Sequence, residues 1–256
     1  KKSNIIPVIH DIAMWKYTDT LSKGARFYLK PLYNLALKKS KKLITITETS
    51  KAALEEMTPA KIINFSEGIS KIYSNPNNTH TDICSRLDLD KEGYILSVST
   101  IEPRKNLKYL LEVYKSIIHK GFNKKLVLVG RKGWGKDIEL NKMIRDLSRH
   151  IVFSDYISNE DLITLYKNCY AFWLFSIHEG FGRPPLEALA CGSKVFVSDI
   201  PVLREVVKDR VTYLTLDEAH KAAEIILSDH PKKNNSPLIP YSFENFKIGL
   251  TPESLQ

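Results

Sequence analysis

Short runs rich in β-branched and aromatic residues, apolar at nearly every position, alternate along this chain with segments of helical period, and that alternation leaves few folds open. The runs are "IPVIH" (6–10), "LITIT" (43–47), "IINF" (62–65), "YILSVS" (94–99), "KLVLVG" (125–130), "HIVFS" (150–154), "AFWLFS" (171–176), "KVFVS" (194–198) and "VTYLT" (211–215). A strand that faces water on one side alternates apolar with polar residues. A strand apolar on both faces belongs to a parallel sheet covered by helices above and below. The intervening segments supply those helices. "NLKYLLEVYKSIIHK" (106–120) lines up Leu107, Leu110, Leu111, Tyr114, Ile117 and Ile118 on one face, with Asn106 as the expected N-cap and Gly121 as the stop. "NEDLITLYKNC" (159–169) and "DEAHKAAEIILSD" (217–229) behave alike. The pattern predicts an α/β, doubly wound architecture.

A polar stretch with Pro and Asn, "YSNPNNTHTDICSRLDLDKEG" (73–93), predicts a linker between two Rossmann-like units. The first unit, residues 1–80, carries few strands and is expected to be incomplete; the second, 91–240, is expected to be whole, with a tail over 241–256. The start, "KKSNIIPVIHDIAMW", has no initiator Met and no long apolar core ahead of a cleavage site, so it reads as a cut end rather than a secretory signal. Apolar runs all fall short of the roughly 20 residues a membrane span needs. Cys84, Cys169 and Cys191 have neither paired nor metal-like spacing, which predicts reduced thiols in a cytoplasmic protein. The "NNT" at 77–79 is then a chance sequon. A net charge of +9 suits nucleic acid, anionic lipid or a phosphorylated small molecule.

Ligands of open α/β sheets bind at the carboxyl ends of the strands. After "YILSVS" comes "TIEPRKN" (100–106), which sets Arg104 and Lys105 just ahead of a helix start, where two cations and free backbone N–H groups make a pocket for a diphosphate. After "KLVLVG" comes "RKGWGK" (131–136), which fits neither the P-loop nor the dinucleotide fingerprint and reads equally as a plain turn. After "AFWLFS" comes "SIHEGFGRPPLEALACG" (176–192). Gly180 and Gly182 free the backbone beside Glu179, Pro184 or Pro185 suits a first helical position, and Gly192 stops the helix. That reading places Glu187 in or near the first turn, with its carboxylate facing back over the loop toward Glu179. His10 and Asp11 end the first strand-like run and face the same cleft.

"EGFGRPPLEALACG" resembles the E-x7-E motif of the retaining glycosyltransferases of family four (group 1), which have the GT-B fold, and "SVSTIEPRKNLKYLLEVY" resembles that family's first C-domain strand, basic loop and helix. "LVLVGRKGW", "VFSDYISNEDLITLYKNCYAFWLFS" and "KVFVSDIPVLREVV" follow in the family's order, and "HDIAMWKY", "KKLITITETSKAALEEM" and "KIINFSEGIS" are similar to the second half of its N-terminal domain. The resemblance implies a nucleotide-sugar donor held between two Rossmann-like domains. Arg104 and Lys105 would bind its diphosphate and stabilise the leaving group without a metal or other cofactor. Glu187 would accept from the ribose hydroxyls, and Glu179 would sit by the transferred sugar. The backbone of Gly180, Phe181 and Gly182 would pass close to sugar and phosphate, Tyr156 and Ile157 would pack on the base, and Gly130 and Leu186 complete the donor-contact set. His10 joins Glu179, Arg104 and Lys105 as a catalytic candidate, while Glu67 and Gly68 match a structural turn.

The implied activity is transfer of a hexose, mannose from GDP-mannose by analogy, to a saccharide or lipid-linked acceptor in surface glycan synthesis, in the cytoplasm and at the inner face of the membrane. Three departures stand out: Ser99 where the family has Gly, Arg183 where it has an aliphatic residue, and no match to the family's first βα units. A nucleotide- or sugar-binding module without turnover, or a nucleotide-sugar epimerase of the same fold, would keep the same donor site. Nucleic-acid binding has charge in its favour but no helix-turn-helix, RNP or zinc pattern, so nucleic acid is not an expected partner.

Overall fold

The computed structural model describes residues 6–74, 80–131 and 137–229. The chain runs through α1 (Ala13–Lys16), a π-helical turn (Ala25–Leu29), α2 (Lys30–Lys39), β1 (Lys42–Thr45), α3 (Glu48–Glu55), β2 (Lys61–Asn64), α4 (Ile83–Arg86), β3 (Tyr94–Val98), α5 (Leu107–His119), β4 (Lys125–Val129), α6 (Ile138–Asp146), β5 (Ile151–Ser154), α7 (Asn159–Asn168), β6 (Ala171–Leu174), α8 (Arg183–Ala190), β7 (Val195–Ser198), α9 (Pro201–Val207), β8 (Thr212–Leu214) and α10 (Ala219–Ser228).

All the paired strands are parallel. β1 and β2 form one small sheet; the other six form a sheet of order β5-β4-β3-β6-β7-β8. That order reverses between β3 and β6, which is the switch point where doubly wound sheets bind ligands. Because successive side chains of a strand point to opposite faces, each apolar strand feeds two cores. Leu96, Val127, Phe172, Leu174 and Val197 pack beneath α7, α8 and α9. Ile95, Leu126, Trp173 and Phe196 pack beneath α5 and α10.

Two expectations fail for identifiable reasons. "IPVIH" makes only a single parallel bridge, Val8 to Ile44, held by Ile9 N–H to Ile44 O at 2.8 Å and Ile44 N–H to Pro7 O at 2.9 Å. Pro7 has no N–H to continue the ladder. Asn106 does not cap α5 with its side chain: it follows a 3-10 turn over Pro103–Lys105 and takes the left-handed conformation, φ 53° and ψ 42°, which Asn tolerates better than most residues. Gly121 does end the helix, at φ 86°.

The polar stretch at 73–93 is fastened to the larger unit at both described ends. The Tyr73 hydroxyl donates to Asn159 Oδ1 at 3.2 Å. Arg86 on α4 reaches Asp161 on α7 at 2.7 Å, and Ile83 and Leu89 are buried in the first core. Between the two sheets, Glu205 on α9 accepts from Glu48 N–H at 2.7 Å, Thr49 N–H at 2.8 Å and the Thr49 hydroxyl at 2.7 Å. A carboxylate from the second unit thus satisfies the free donors at the start of α3 in the first. The tail (241–256) and most of "RKGWGK" lie outside the described residues.

Candidate active site

The loop after β3 and the loop after β6 meet at the switch point. Ile177 N–H donates to Arg104 O at 3.0 Å, which ties the two loops together. Lys105 Nζ then stands 2.7 and 2.9 Å from the two carboxylate oxygens of Glu179. Glu179 is 5% exposed and also accepts from the Ser176 hydroxyl at 2.7 Å. Ser198 in turn donates to Ser176 O at 2.6 Å, so β7 supports the group from behind. Burial pushes the Glu179 carboxyl up, but the charges of Lys105 and Arg104 and the hydrogen bonds from Lys105 and Ser176 outweigh it and hold the group below its ordinary 4.5. Glu179 is therefore an anion at neutral pH.

Arg104 is held by a residue that sequence reading passed over. Buried Glu102 takes its Nε at 3.0 Å and a terminal nitrogen at 2.6 Å. The remaining terminal nitrogen faces Glu179 at 3.8 Å and Asp11 at 4.0 Å. Asp11 caps α1 through Ala13 N–H at 2.8 Å and touches Gly180, where an added Cβ would lie 3.2 Å from the Asp11 side chain and from His10 O. The glycine is what lets the loop after β6 approach His10 and Asp11. The His10 imidazole itself is exposed. His178 stacks on Tyr17 at 4.4 Å, and burial, the largest of several influences, lowers its pKa so that the ring is neutral. Glu102, Ser176 and His178 all lie within three residues of predicted positions, so their proximity in sequence was a usable signal. Tyr17 had none.

Glu187 behaves differently from expectation. α8 begins at Arg183, after Gly182 at φ 96°, so Glu187 is in its second turn and looks toward α7 rather than back over the loop. The Tyr166 hydroxyl donates to it at 3.1 Å. Burial pushes the Glu187 carboxyl up against the opposing effects of that bond and of Arg183. Burial, then the charge of Glu187, raises the Tyr166 hydroxyl well above its usual range, so it remains a donor. Glu179 and Glu187 therefore take separate partners: one sits among cations, the other among tyrosines. Phe181 and Leu186 are buried in the core at 4% and 1% exposure, so neither offers its side chain to a ligand. Tyr156 is 75% exposed, its ring 5.5 Å from the Arg131 guanidinium. Ile157 packs on the first core. Gly130 lies against the loop after β3.

A cavity of about 650 Å³ opens beside this cluster, between α5 and α6, and shares Glu102 and Gly130 with it. Among the described residues its lining carries three carboxylates, Glu102, Asp137 and Asp155, and one cation, Lys108. The cations that face Glu179 are Arg104 and Lys105.

Two parallel sheets, a switch-point cleft and a basic loop facing a buried carboxylate define a GT-B type glycosyltransferase. Residues 61–235 match the model of the family described as glycosyl transferases group 1. The chain belongs to that family. It is 30% identical over 245 residues to the O-antigen chain mannosyltransferase RfbU of Salmonella typhimurium, covering 93% of this chain and 66% of that protein. It is 29% identical over 211 residues to O-antigen chain mannosyltransferase B of Escherichia coli, covering 80% of this chain and 55% of that protein. It thus spans about two thirds or less of these relatives' length. Among solved structures, Anabaena HepE in complex with UDP and glucose superposes with a TM-score of 0.68 at 21% identity, over 87% of this chain and 61% of that one. At that identity the likeness speaks for the fold.

Proposed function

We propose that the chain forms the donor-binding part of a retaining, metal-independent mannosyltransferase of surface polysaccharide synthesis. It would carry mannose from GDP-mannose to a saccharide or lipid-linked acceptor, in the cytoplasm against the inner face of the membrane. The observation that carries the reading is the convergence of Arg104, Lys105 and Glu179 on one switch point. Kinship to O-antigen mannosyltransferases supports the sugar. In the structure the two cations are held by Glu179 and Glu102. An entering diphosphate takes over Lys105 and the outward edge of Arg104, which frees the Glu179 carboxylate for a sugar hydroxyl. As the bond from the anomeric carbon to the diphosphate oxygen breaks, negative charge grows on the leaving group, and the fixed cations stabilise it. The sugar's acquired positive character is met by Glu179. Return of the acceptor hydroxyl on the same face, its proton going to the leaving phosphate, gives retention. Glu187, with Tyr166 already donating to it, takes the ribose hydroxyls.

Thermal shift tests the donor site directly. GDP, UDP, ADP, dTDP and CMP are compared at saturation, with and without Glu187→Ala. A ligand at about a hundred times its Kd adds roughly 2.7 kcal/mol. GDP is expected to raise the Tm, and Glu187→Ala to erase most of that rise. A larger response to UDP would overturn the guanine assignment, and no response to any diphosphate would overturn the site. Because burial raises the Glu187 carboxyl, which must be ionised to accept from both hydroxyls, GDP binding is expected to strengthen as pH rises above the ordinary carboxylate range. EDTA is expected to leave the shift unchanged.

A further inference from the structure

The outward face of α2 is apolar where a surface helix is normally polar. Leu32 and Leu35 of α2 are 61% and 50% exposed, and Tyr28 of the π-helical turn before it is 72% exposed. Phe27 and Leu29, at 76% and 43%, extend the patch into the preceding π-helical turn, and the Phe27 and Tyr28 rings meet edge-on at 5.3 Å. Five of the eleven large exposed apolar residues among the described positions thus fall within nine consecutive residues. The opposite face is already occupied. Leu37 is buried, Tyr33 packs on Trp15 at 5.7 Å, and the Trp15 indole donates to Asn34 Oδ1 at 2.8 Å. The helix cannot roll to bury its outer stripe without breaking those contacts.

Charge says what the stripe meets. From Thr20 to Thr47 the chain carries seven cations (Lys23, Arg26, Lys30, Lys38, Lys39, Lys41 and Lys42) and no Asp or Glu. Lys23, Lys38, Lys39 and Lys41 are exposed at the two ends of the stripe. An apolar stripe bracketed by cations, on a helix too short and too charged to cross a bilayer, matches an element that lies in the plane of an anionic membrane surface. Among the described residues no helix is long and apolar enough to span one.

We infer that the α2 face, from Phe27 to Lys41, is the surface by which this protein docks on anionic lipid, its apolar side chains entering the headgroup region and its lysines resting on the phosphates. The inference deepens the reading of a lipid-linked acceptor. It also carries a positional consequence: Trp15 ties α2 to α1, which follows directly on His10 and Asp11, so the docked helix sits on the same element that borders the cleft.

Sedimentation with sucrose-loaded vesicles tests it, using the whole 256-residue chain and no donor or acceptor, so the result is independent of catalysis. Partition is expected on phosphatidylcholine vesicles containing phosphatidylglycerol, little on phosphatidylcholine alone, and less as salt rises. Leu32→Glu with Leu35→Glu is expected to cut partition on the order of tenfold or more. Lys38→Ala with Lys39→Ala is expected to cut it roughly twenty-five-fold, about fivefold for each lysine. All four positions are exposed, and unchanged melting temperatures verify the fold. Absence of binding to the anionic vesicles overturns the inference, as does binding indifferent to both pairs of substitutions. A dimer that Leu32→Glu dissociates, without vesicle binding, overturns it in favour of a second copy as the occupant. A normal GDP shift alongside failed vesicle binding would sink the docking surface and leave the donor site standing.

Discussion

Lys105→Ala is expected to reduce sugar transfer by about 10²–10³-fold and to destabilise the fold by about 3–5 kcal/mol. The two effects have one origin. Glu179 is fully buried, and what keeps it ionised is mainly the charge of Lys105, then that of Arg104. Without Lys105, Arg104 at 3.8 Å is the nearer remaining cation, and it is committed to Glu102. Burial then dominates, and the carboxyl is expected to move from below its ordinary 4.5 to above it. The sign of the pH dependence follows. With a depressed value in the folded state, the carboxylate's stabilising contribution is complete above 4.5 in the native protein and is lost as pH falls toward and through the folded value. In Lys105→Ala that contribution reverses, because the folded state now prefers the proton. Urea unfolding at pH 7 and at pH 4 reads both: the variant is expected to lose most at pH 7 and to approach the native protein at pH 4. Lys105→Met combined with Glu179→Gln should recover most of the stability and none of the transfer, since removing both partners leaves no orphaned charge. A loss below about 1 kcal/mol in the single variant would mean that the pair is as weak as a surface ion pair, and the pre-ordered site would have to be abandoned.

How far the sequence discloses this arrangement depends on the range over which each feature is determined. The strands were legible because the inner ones, β3, β4, β6 and β7, are covered on both faces and almost wholly apolar, and a run such as "AFWLF" has no other stable home than a covered parallel sheet. The cations were legible because the loop after a strand and before a helix has a fixed place in a doubly wound sheet. Glu102 carries no mark of its role although it stands two residues from Arg104, since a carboxylate that neutralises Arg104 runs against the diphosphate site proposed there. Glu187 was assigned the wrong direction. The helix that carries it starts at Arg183, a residue earlier than its prolines suggest, and that rotation turns the carboxylate to Tyr166, twenty-one positions away. No local pattern announces such a partner. The same holds for Glu205, whose three bonds to the start of α3 span 156 residues or more. The α2 stripe illustrates the opposite case. Its periodicity is plain in the sequence, but only the fold shows which face is turned outward.

Gly130→Ala is expected to cost on the order of 3–5 kcal/mol and, in whatever fraction remains folded, to weaken GDP binding. Gly130 ends β4 at φ 144°, a conformation L-residues rarely adopt. The conformation alone would cost about 1–3 kcal/mol. The larger obstacle is contact: a Cβ there would lie 2.1 Å from Ser99 O and 2.8 Å from Ser99 C, both backbone atoms that cannot swing aside as a side chain would. Relief requires that the backbone of one strand end move against the other. Gly130 N–H is bonded to Ser154 O at 3.1 Å, and Ile101 N–H to Arg131 O at 3.0 Å, so the two strand ends are pinned on either side of the clash. The segment driven outward is the one leading through Ile101 to Arg104 and Lys105, and a shift there pulls the cations from the positions that Glu179 and Glu102 define. Gly192→Ala is the matched control. It too has a positive φ, 81°, but nothing lies within 4 Å of an added Cβ, so it is expected to cost only about 1 kcal/mol and to leave GDP binding intact. Thermal melts of both variants, with and without GDP, separate backbone conformation from backbone contact. Equal losses in the two would show that φ alone governs the site and that the close approach of β3 and β4 places no constraint on the phosphate loop.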